Sequence, residues 1–375
     1  MDKTSFRFIT FTIVKKTERM KRLILLVLLL ISIGISAQEP SEEFLQKLDS
    51  LGATDSTAQA QMMYNKGVAL MEVHDYAEAI TFFNQVFIYD TSFALAYLNR
   101  GICHMELGSS DKAIGDLKSG LEKDPELHLA HYEMGVIYEK ESRYDDAITS
   151  YSLAIKLNPK EARYYYHRGV LVFQKEEYEK AKDDFTVALS LESTYAYAFN
   201  DRGSANLKLD DIDAAIEDYK KATELDSKLD FAFNNLGSAY RKKGNFDDAI
   251  KAYNKAVLNN SDYHIAINNR GLAKIGKKDF AGAIKDFNKA ISIKSDYGFA
   301  LNNRASAFIL LEEWDKAIAD CDKAISLNAD YAYAYYNRAI AKEMKRDLDG
   351  ACADWEVAGN LGLEASRSFY SSSCK

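Results

Sequence analysis

The chain has 375 residues, with 48 Lys and Arg against 56 Asp and Glu and a formal net charge of −8. This balance argues against nucleic acid or an anionic membrane surface as the main partner, because both need a basic protein face. The 47% share of hydrophobic residues and the 24 Tyr exclude a disordered chain, and four Cys are too few for a disulfide-based fold.

The N-terminal segment has the pattern of a secretory signal. Met20, Lys21 and Arg22 form a basic start, an apolar run covers residues 23–35, and the small residue Ala37 follows. We predict a signal peptide over residues 1–37, with Met20 as a possible true start, and a periplasmic or secreted protein. The alternative is an uncleaved inner-membrane anchor with the rest of the chain outside the cytoplasm, because Ile35 is not a small residue. Residues 38–59 are predicted to be a polar leader.

The remainder of the chain repeats itself every 34 residues without an insertion. A small residue recurs at Gly67, Gly101, Gly135, Gly169, Gly203, Gly237, Gly271, Ala305 and Ala339. An alanine lies twelve residues after each of these positions, and a large side chain follows four residues later in most units, as in Phe83, Tyr151 and Trp355. Two apolar stripes at helical spacing, separated by a short polar turn, predict a pair of packed helices in each unit. One such pair cannot bury its apolar face, so neighbouring pairs must stack.

This pattern resembles the tetratricopeptide repeat family over residues 60–365, as nine consecutive repeats that we number 1 to 9. The resemblance implies an all-α fold, a solenoid in which helix–turn–helix repeats form a right-handed superhelix. Residues 366–375 are predicted to be a C-terminal cap or tail. In this family the first helices of successive repeats line a concave groove that binds protein segments.

A second regularity joins the residue before each small position to the residue 16 positions later. Six repeats carry Arg at the first and Asp at the second: Arg100 and Asp116, Arg168 and Asp184, Arg202 and Asp218, Arg270 and Asp286, Arg304 and Asp320, Arg338 and Asp354. The other three repeats have neither residue. We therefore predict a structural salt bridge between the two helices of each of the six repeats, which contributes about 0–1 kcal/mol if the pair is exposed.

The resemblance places the positions six, three and two residues before the small residue in the groove. Those positions predict a peptide-binding set: Asn200, Asn234, Asn268 and Asn302 at three before; Asn235, Asn269 and Asn303 at two before; Tyr197, Phe231, Phe299 and Tyr333 at six before. Amides both donate and accept, so a row of Asn suits the backbone of an extended chain, and aromatic side chains offer pockets. The alternative is that the amides cap or bridge adjacent repeats, with the aromatics partly buried.

Other chemistries find little support in the sequence. The family's carboxylate clamp for chaperone C-termini needs a Lys three before and an Asn one after the small residue, and no repeat has either. Phosphate-binding, zinc-protease and nucleophile-elbow motifs are also missing. His104, His128 and His131 could approach one another, but no supporting residues point to a metal. We predict no catalytic residue, no metal and no cofactor.

The four cysteines fall into two groups. Cys103 and Cys321 occupy core positions of distant repeats and are predicted to be buried small side chains. Cys352 and Cys374 could form a disulfide in an oxidising compartment and hold the C-terminal cap, or they could remain two free thiols.

The functional prediction is a non-enzymatic scaffold or adaptor that binds a partner protein or an extended peptide in the concave groove. One alternative is a membrane-tethered assembly or regulatory factor of the cell envelope, with its N-terminal anchor uncleaved. A second is the substrate-recruiting arm of an enzyme, which is weakened because the repeats leave no room for a catalytic domain.

Overall fold

The structure, a computed structural model, describes residues 56–374. The predicted signal peptide and the leader up to residue 55 therefore lie outside the described residues. Within residues 56–374 there are nineteen helices and no strand: α1 Ser56–Glu72, α2 Tyr76–Tyr89, α3 Ala94–Glu106, α4 Ser110–Lys123, α5 His128–Lys140, α6 Tyr144–Leu157, α7 Ala162–Gln174, α8 Tyr178–Leu191, α9 Ala196–Lys208, α10 Ile212–Leu225, α11 Asp230–Lys242, α12 Phe246–Asn259, α13 His264–Gly276, α14 Phe280–Ile293, α15 Gly298–Leu310, α16 Trp314–Leu327, α17 Ala332–Met344, α18 Leu348–Asn360 and α19 Glu364–Ser373.

The helices fall into two compact units, Met1–Ser92 and Phe93–Lys375. In the first unit α1 and α2 pack as one hairpin. In the second, each odd-numbered helix from α3 to α17 packs against the next even-numbered helix, and that helix packs against the first helix of the following hairpin. None of the helices within residues 56–374 is long and apolar enough to cross a lipid bilayer.

The turn within each hairpin has a recurring local geometry. Two residues after the first helix ends, a residue adopts the left-handed region. It is Gly108 or Gly244 in two hairpins and a non-glycine residue such as Asp210 in the others. An aspartate caps the second helix in several repeats. The Asp211 carboxylate, for example, accepts a hydrogen bond from the Ala214 backbone N–H at 3.1 Å. This cap satisfies a backbone donor that the first turn of the helix leaves unpaired.

The core of each hairpin forms where the small residue of the first helix meets the large residue of the second. A Cβ atom added to Gly237 would lie 2.7 Å from the Tyr253 ring, and Tyr253 is fully buried. Repeat 8, which has Ala305 in place of glycine, has the smaller Cys321 opposite it. In repeat 6 the ring therefore lies directly on the small residue. Repeat 9 has Ala339 and the large Trp355 at the same two positions, and both are fully buried.

The predicted limits of the repeat region differ slightly from those of the helices. Helix α1 begins at Ser56, so the last residues of the predicted leader are helical. Helix α19 begins at Glu364 and continues through most of the predicted tail. It packs on α18, where the Phe369 ring stacks on Trp355 with centroids 5.6 Å apart.

Candidate functional site

Paired asparagines connect the first helices of repeats 5 to 9. In each case the Nδ2 of the asparagine two before the small residue donates to the Oδ1 of the asparagine three before it in the preceding repeat. The four bonds are Asn235 to Asn200 at 3.0 Å, Asn269 to Asn234 at 3.0 Å, Asn303 to Asn268 at 3.0 Å and Asn337 to Asn302 at 2.9 Å. We call these eight residues the amide ladder.

The amide ladder corrects the groove assignment of one row of residues. Asn200, Asn234, Asn268 and Asn302 are only 3–7% exposed, and each Oδ1 accepts from the next repeat. A buried amide must find partners inside the protein, because leaving it unpaired costs about 1–3 kcal/mol. The four amides therefore bridge adjacent repeats, which is the alternative given in the sequence analysis. Asn235, Asn269 and Asn303 are half-buried donors of the same bonds.

In repeats 3 to 5 the two positions that pair between neighbouring repeats hold tyrosine with histidine or aspartate. The sequence analysis missed these pairs. Tyr132 Oη lies 3.2 Å from His167 Nε2, and the Tyr166 hydroxyl donates to Asp201 Oδ2 at 2.9 Å. The signal available in the sequence was a polar pair separated by 35 residues rather than by 34. The pair positions therefore hold hydrogen bonds from repeat 3 through repeat 9, with amides only in the second half.

Glu133 occupies the ladder position of repeat 3, where the preceding repeat offers only Leu98. Burial raises the pKa of the Glu133 carboxyl to about 7, while the nearby Arg163 and Lys140 act in the opposite direction and Glu106 adds to the rise.

Large apolar side chains line the N-terminal ends of the same first helices, at the position six before the small residue. Tyr197 is 42% exposed, Phe299 59% and Tyr333 58%, and Ile265 is also exposed. Phe231 is half-buried, with its ring centroid 5.7 Å from that of Tyr197. We call Tyr197, Phe231, Ile265, Phe299 and Tyr333 the aromatic strip. Tyr197, Ile265, Phe299 and Tyr333 are exposed, unlike the four buried asparagines, whereas Phe231 is partly buried as the alternative described.

The predicted Arg and Asp side chains form ion pairs in all six repeats. The distances from Nη2 to Oδ1 are 2.5 Å for Arg100 and Asp116, 2.7 Å for Arg168 and Asp184, 2.6 Å for Arg202 and Asp218, 2.7 Å for Arg270 and Asp286, 2.6 Å for Arg304 and Asp320, and 2.6 Å for Arg338 and Asp354. Nε donates to the second carboxylate oxygen in every pair. All six aspartates are buried, so the 0–1 kcal/mol of an exposed pair does not apply to them.

Five of the six arginines, those of repeats 4, 5, 7, 8 and 9, also donate to a side chain of the preceding repeat. Arg270 Nη1 donates to Asn254 Oδ1 of the preceding repeat at 2.8 Å, and Arg304 Nη1 donates to Asn288 Oδ1 at 2.6 Å. In several repeats the guanidinium also lies over an aromatic ring three residues earlier, as for Arg338 over Tyr335 at 5.3 Å. These five arginines therefore join their own hairpin to the preceding one.

The cysteines have the following placement. Cys352 and Cys374 are joined in a disulfide that ties the end of α19 to α18, across a sequence separation of 22. Cys103 and Cys321 are buried free thiols. Burial raises the pKa of Cys103 to about 12, so this thiol stays protonated and unreactive at neutral pH.

Comparisons with known proteins agree with the repeat fold described above. Sequence models described as "Tetratricopeptide repeat" match residues 60–128, 128–161, 162–195, 196–229, 231–263 and 265–297, which together exceed half of the chain. No curated protein matches the sequence.

Several solved structures resemble this chain in their fold. A tetratricopeptide repeat protein from Parabacteroides merdae ATCC 43184 has a TM-score of 0.51 and 20% identity, over 70% of this chain and 99% of its own. The APC/C hetero-tetramer Cut9-Hcn1 has a TM-score of 0.54 and 13% identity, over 89% of this chain and 81% of that chain. YrrB, described as a TPR protein with an unusual peptide-binding site, has a TM-score of 0.45 and 24% identity, over 49% and 95%. The first two likenesses show the fold alone.

Proposed function

Because this chain belongs to the tetratricopeptide repeat family, we propose that it is an exported, non-enzymatic scaffold that binds an extended segment of a partner protein along the aromatic strip. Family membership, which confirms the resemblance and the all-α repeat fold predicted from the sequence, supports a protein–protein interaction scaffold. The export part rests on the signal-like sequence of residues 1–37.

The observation that carries the proposed binding site is the exposure of Phe299 and Tyr333, both more than half accessible to solvent. An exposed large aromatic side chain loses the free energy that burial would give, about 25 cal/mol per Å² of apolar surface. Tyr331 lies between the two, with ring centroids 5.3 Å from Phe299 and 6.4 Å from Tyr333. Together these rings form a continuous apolar surface of the kind that anchors a partner.

The chemistry of the surface suggests the kind of segment that it binds. Neither the aromatic strip nor the amide ladder beside it contains a charged side chain. A charged side chain laid against the exposed Phe299 and Tyr333 rings would lose part of its hydration. The segment is therefore rich in apolar and aromatic residues, and its backbone is extended so that successive side chains reach successive repeats.

The test uses peptides selected from a random twelve-residue library on the full chain, with binding measured by calorimetry. We expect Phe299→Ala together with Tyr333→Ala to weaken the selected peptides by about tenfold or more, which corresponds to 1.4 kcal/mol. Because both side chains are more than half exposed, the double variant keeps its helical circular dichroism.

The matched control is Ile88→Ala, which removes another exposed apolar side chain, at a position in repeat 1. This variant should bind the same peptides as the unmodified chain. Peptides that bind all three proteins equally would place the binding site away from the aromatic strip and contradict the proposal.

A further inference from the structure

A second candidate site lies in repeat 6, between α11 and α12. A shallow cleft of about 630 Å³, open to solvent, lies there. Leu236 and Ala252 are buried at its floor, the half-buried Phe233 and Tyr240 line it, and Leu258, 75% exposed, stands at its edge. The cleft is separate from the aromatic strip and the amide ladder, and its lining includes none of their residues.

The cleft lies where other repeats place an arginine. In four repeats the residue four before the small position is aromatic and is covered by the arginine guanidinium: Arg100 over Tyr97 at 5.6 Å, Arg168 over Tyr165 at 5.8 Å, Arg202 over Phe199 at 5.4 Å and Arg338 over Tyr335 at 5.3 Å. Repeat 6 keeps the aromatic residue, Phe233, but has Leu236 in place of Arg and Ala252 in place of Asp. Both replacements are shorter, so the space that the ion pair fills elsewhere is open.

The other repeats that lack the ion pair fill the corresponding region differently. In repeat 3 the buried Tyr138 is covered by the Arg143 guanidinium at 4.3 Å. In repeat 1 the position of Ala252 is taken by the large Phe82, with Lys66 at 5.8 Å from its ring. Repeat 6 thus combines the smallest residue at this position with two aromatic side chains, Phe233 and Tyr240, over which no guanidinium is stacked. Lys220 of α10 interacts with Tyr240.

The rim of the cleft is positively charged, although the whole chain carries a net charge of −8. Lys251 and Lys255 are exposed on α12, and Asp248 is the one acidic residue among those that line the cleft. Asp248 already contacts Lys251, with Nζ 3.0 Å from Oδ1. Two lysines against one aspartate favour an anionic group on the ligand, whereas a cation would meet both lysines and find no carboxylate at position 252.

We propose that the repeat 6 cleft binds an aromatic side chain that stands next to a carboxylate on a partner protein. The aromatic ring lies on Phe233, Tyr240 and Leu236, and the carboxylate reaches Lys255 and Lys251 at the rim. The site is independent of the aromatic strip, so the scaffold has two separate contacts for partners.

The test compares two fluorescent probes that share an anilinonaphthalene ring system: 1-anilinonaphthalene-8-sulfonate, which is anionic, and N-phenyl-1-naphthylamine, which is neutral. Leu236→Arg with Ala252→Asp gives repeat 6 the ion pair that six other repeats already contain. We expect this double variant to remain folded and to lose about tenfold in affinity for both probes, because the ion pair occupies the cleft. Lys251→Gln with Lys255→Gln should weaken the sulfonate by about threefold and leave the neutral probe unchanged.

The matched control introduces the same residues in repeat 3, as Met134→Arg with Ser150→Asp, and should leave the affinities for both probes unchanged. Leu258→Ser is a second variant at the cleft edge that cannot disturb the core, since the side chain is 75% exposed, and it should weaken both probes. Unchanged probe binding in the repeat 6 double variant and in Leu258→Ser would overturn the proposed site. Equal affinity for both probes, insensitive to the lysine variants, would overturn the assignment of an anionic ligand.

Discussion

At the scale of single residues, the correlated Arg and Asp positions show what burial adds to a sequence pattern. Co-occurrence at a separation of 16 residues identifies the partners, because a long side chain on one helix can reach the facing helix. This spacing does not show whether the pair is buried or exposed. Asp218 is 6% exposed and accepts hydrogen bonds from Arg202 and also from Asn206 Nδ2 at 2.9 Å. The energetic consequence of removing one partner therefore depends on a buried carboxylate.

We predict that Arg202→Leu alone lowers the stability of repeat 5 by about 3 kcal/mol, because it leaves the Asp218 carboxylate buried without its cation. Arg202→Leu with Asp218→Ala should lower stability less, since it copies the Leu236 and Ala252 pair of repeat 6. Urea unfolding of the full chain, together with hydrogen exchange of α9 and α10, measures both effects. Local exchange is needed because a repeat array need not unfold in one step.

The control for this cycle is the surface pair of Lys220 and Glu217, at 2.7 Å, in which the side chains are 42% and 74% exposed. Lys220→Gln should change stability by less than about 0.5 kcal/mol. A coupling of zero between Arg202 and Asp218 would contradict the structural role that we assign to the buried pairs.

At the scale of helices, each hairpin is stabilised by packing against its neighbours. The last hairpin needs a further element to cover its apolar face. Helix α19 supplies it at the C-terminal end, where Ser366 is fully buried and its hydroxyl donates to the Trp355 carbonyl at 3.0 Å. Arg367 Nε donates to the Gly359 carbonyl at 2.8 Å, and the Cys352–Cys374 disulfide ties down the other end of the helix. Terminal caps of this kind protect the apolar face that the final repeat would otherwise expose.

We predict that Cys374→Ser weakens the attachment of α19 to α18. A cross-link over 22 residues restricts the unfolded chain and contributes about 3 kcal/mol. Under non-reducing conditions, hydrogen exchange of α19 should therefore be faster in the variant than in the unmodified chain. Adding a reductant should bring the unmodified chain to the same rate and leave the variant unchanged. Equal exchange without reductant would contradict a stabilising disulfide, and non-reducing mass analysis shows whether the bond is present.

At the scale of the whole molecule, we propose that the described repeats bind a partner and that residues 1–37 direct export. An oxidising compartment would agree with both the signal pattern and the Cys352–Cys374 disulfide. The two buried free thiols, Cys103 and Cys321, are protected from oxidation because burial raises the pKa of each. An exported scaffold can thus carry one disulfide and two unpaired cysteines without exchange between them.

We predict that the protein isolated from cells begins at Gln38. The small Ala37 precedes this position and the apolar run ends at Ile35, three residues before it. N-terminal sequencing of protein from the periplasm and from the medium checks the prediction. An intact N-terminus in a membrane fraction would contradict it and would favour the anchored alternative, in which the uncleaved helix holds the repeats beside an envelope complex.

The sequence by itself determined the repeat, its helices and the pairing of Arg with Asp. These features depend on spacing along one hairpin, and the 34-residue period preserves that spacing exactly in every copy. Whether each asparagine is buried against a neighbouring repeat or faces solvent was decided by the tertiary structure, because it depends on how one repeat packs on the next. Asn268 accepts from Asn303 across that contact and is buried, whereas Phe299, on the same helix as Asn303, remains exposed. The cleft of repeat 6 likewise depends on three-dimensional packing. Leu236 and Ala252 leave open the space beside Phe233 that an arginine occupies in other repeats.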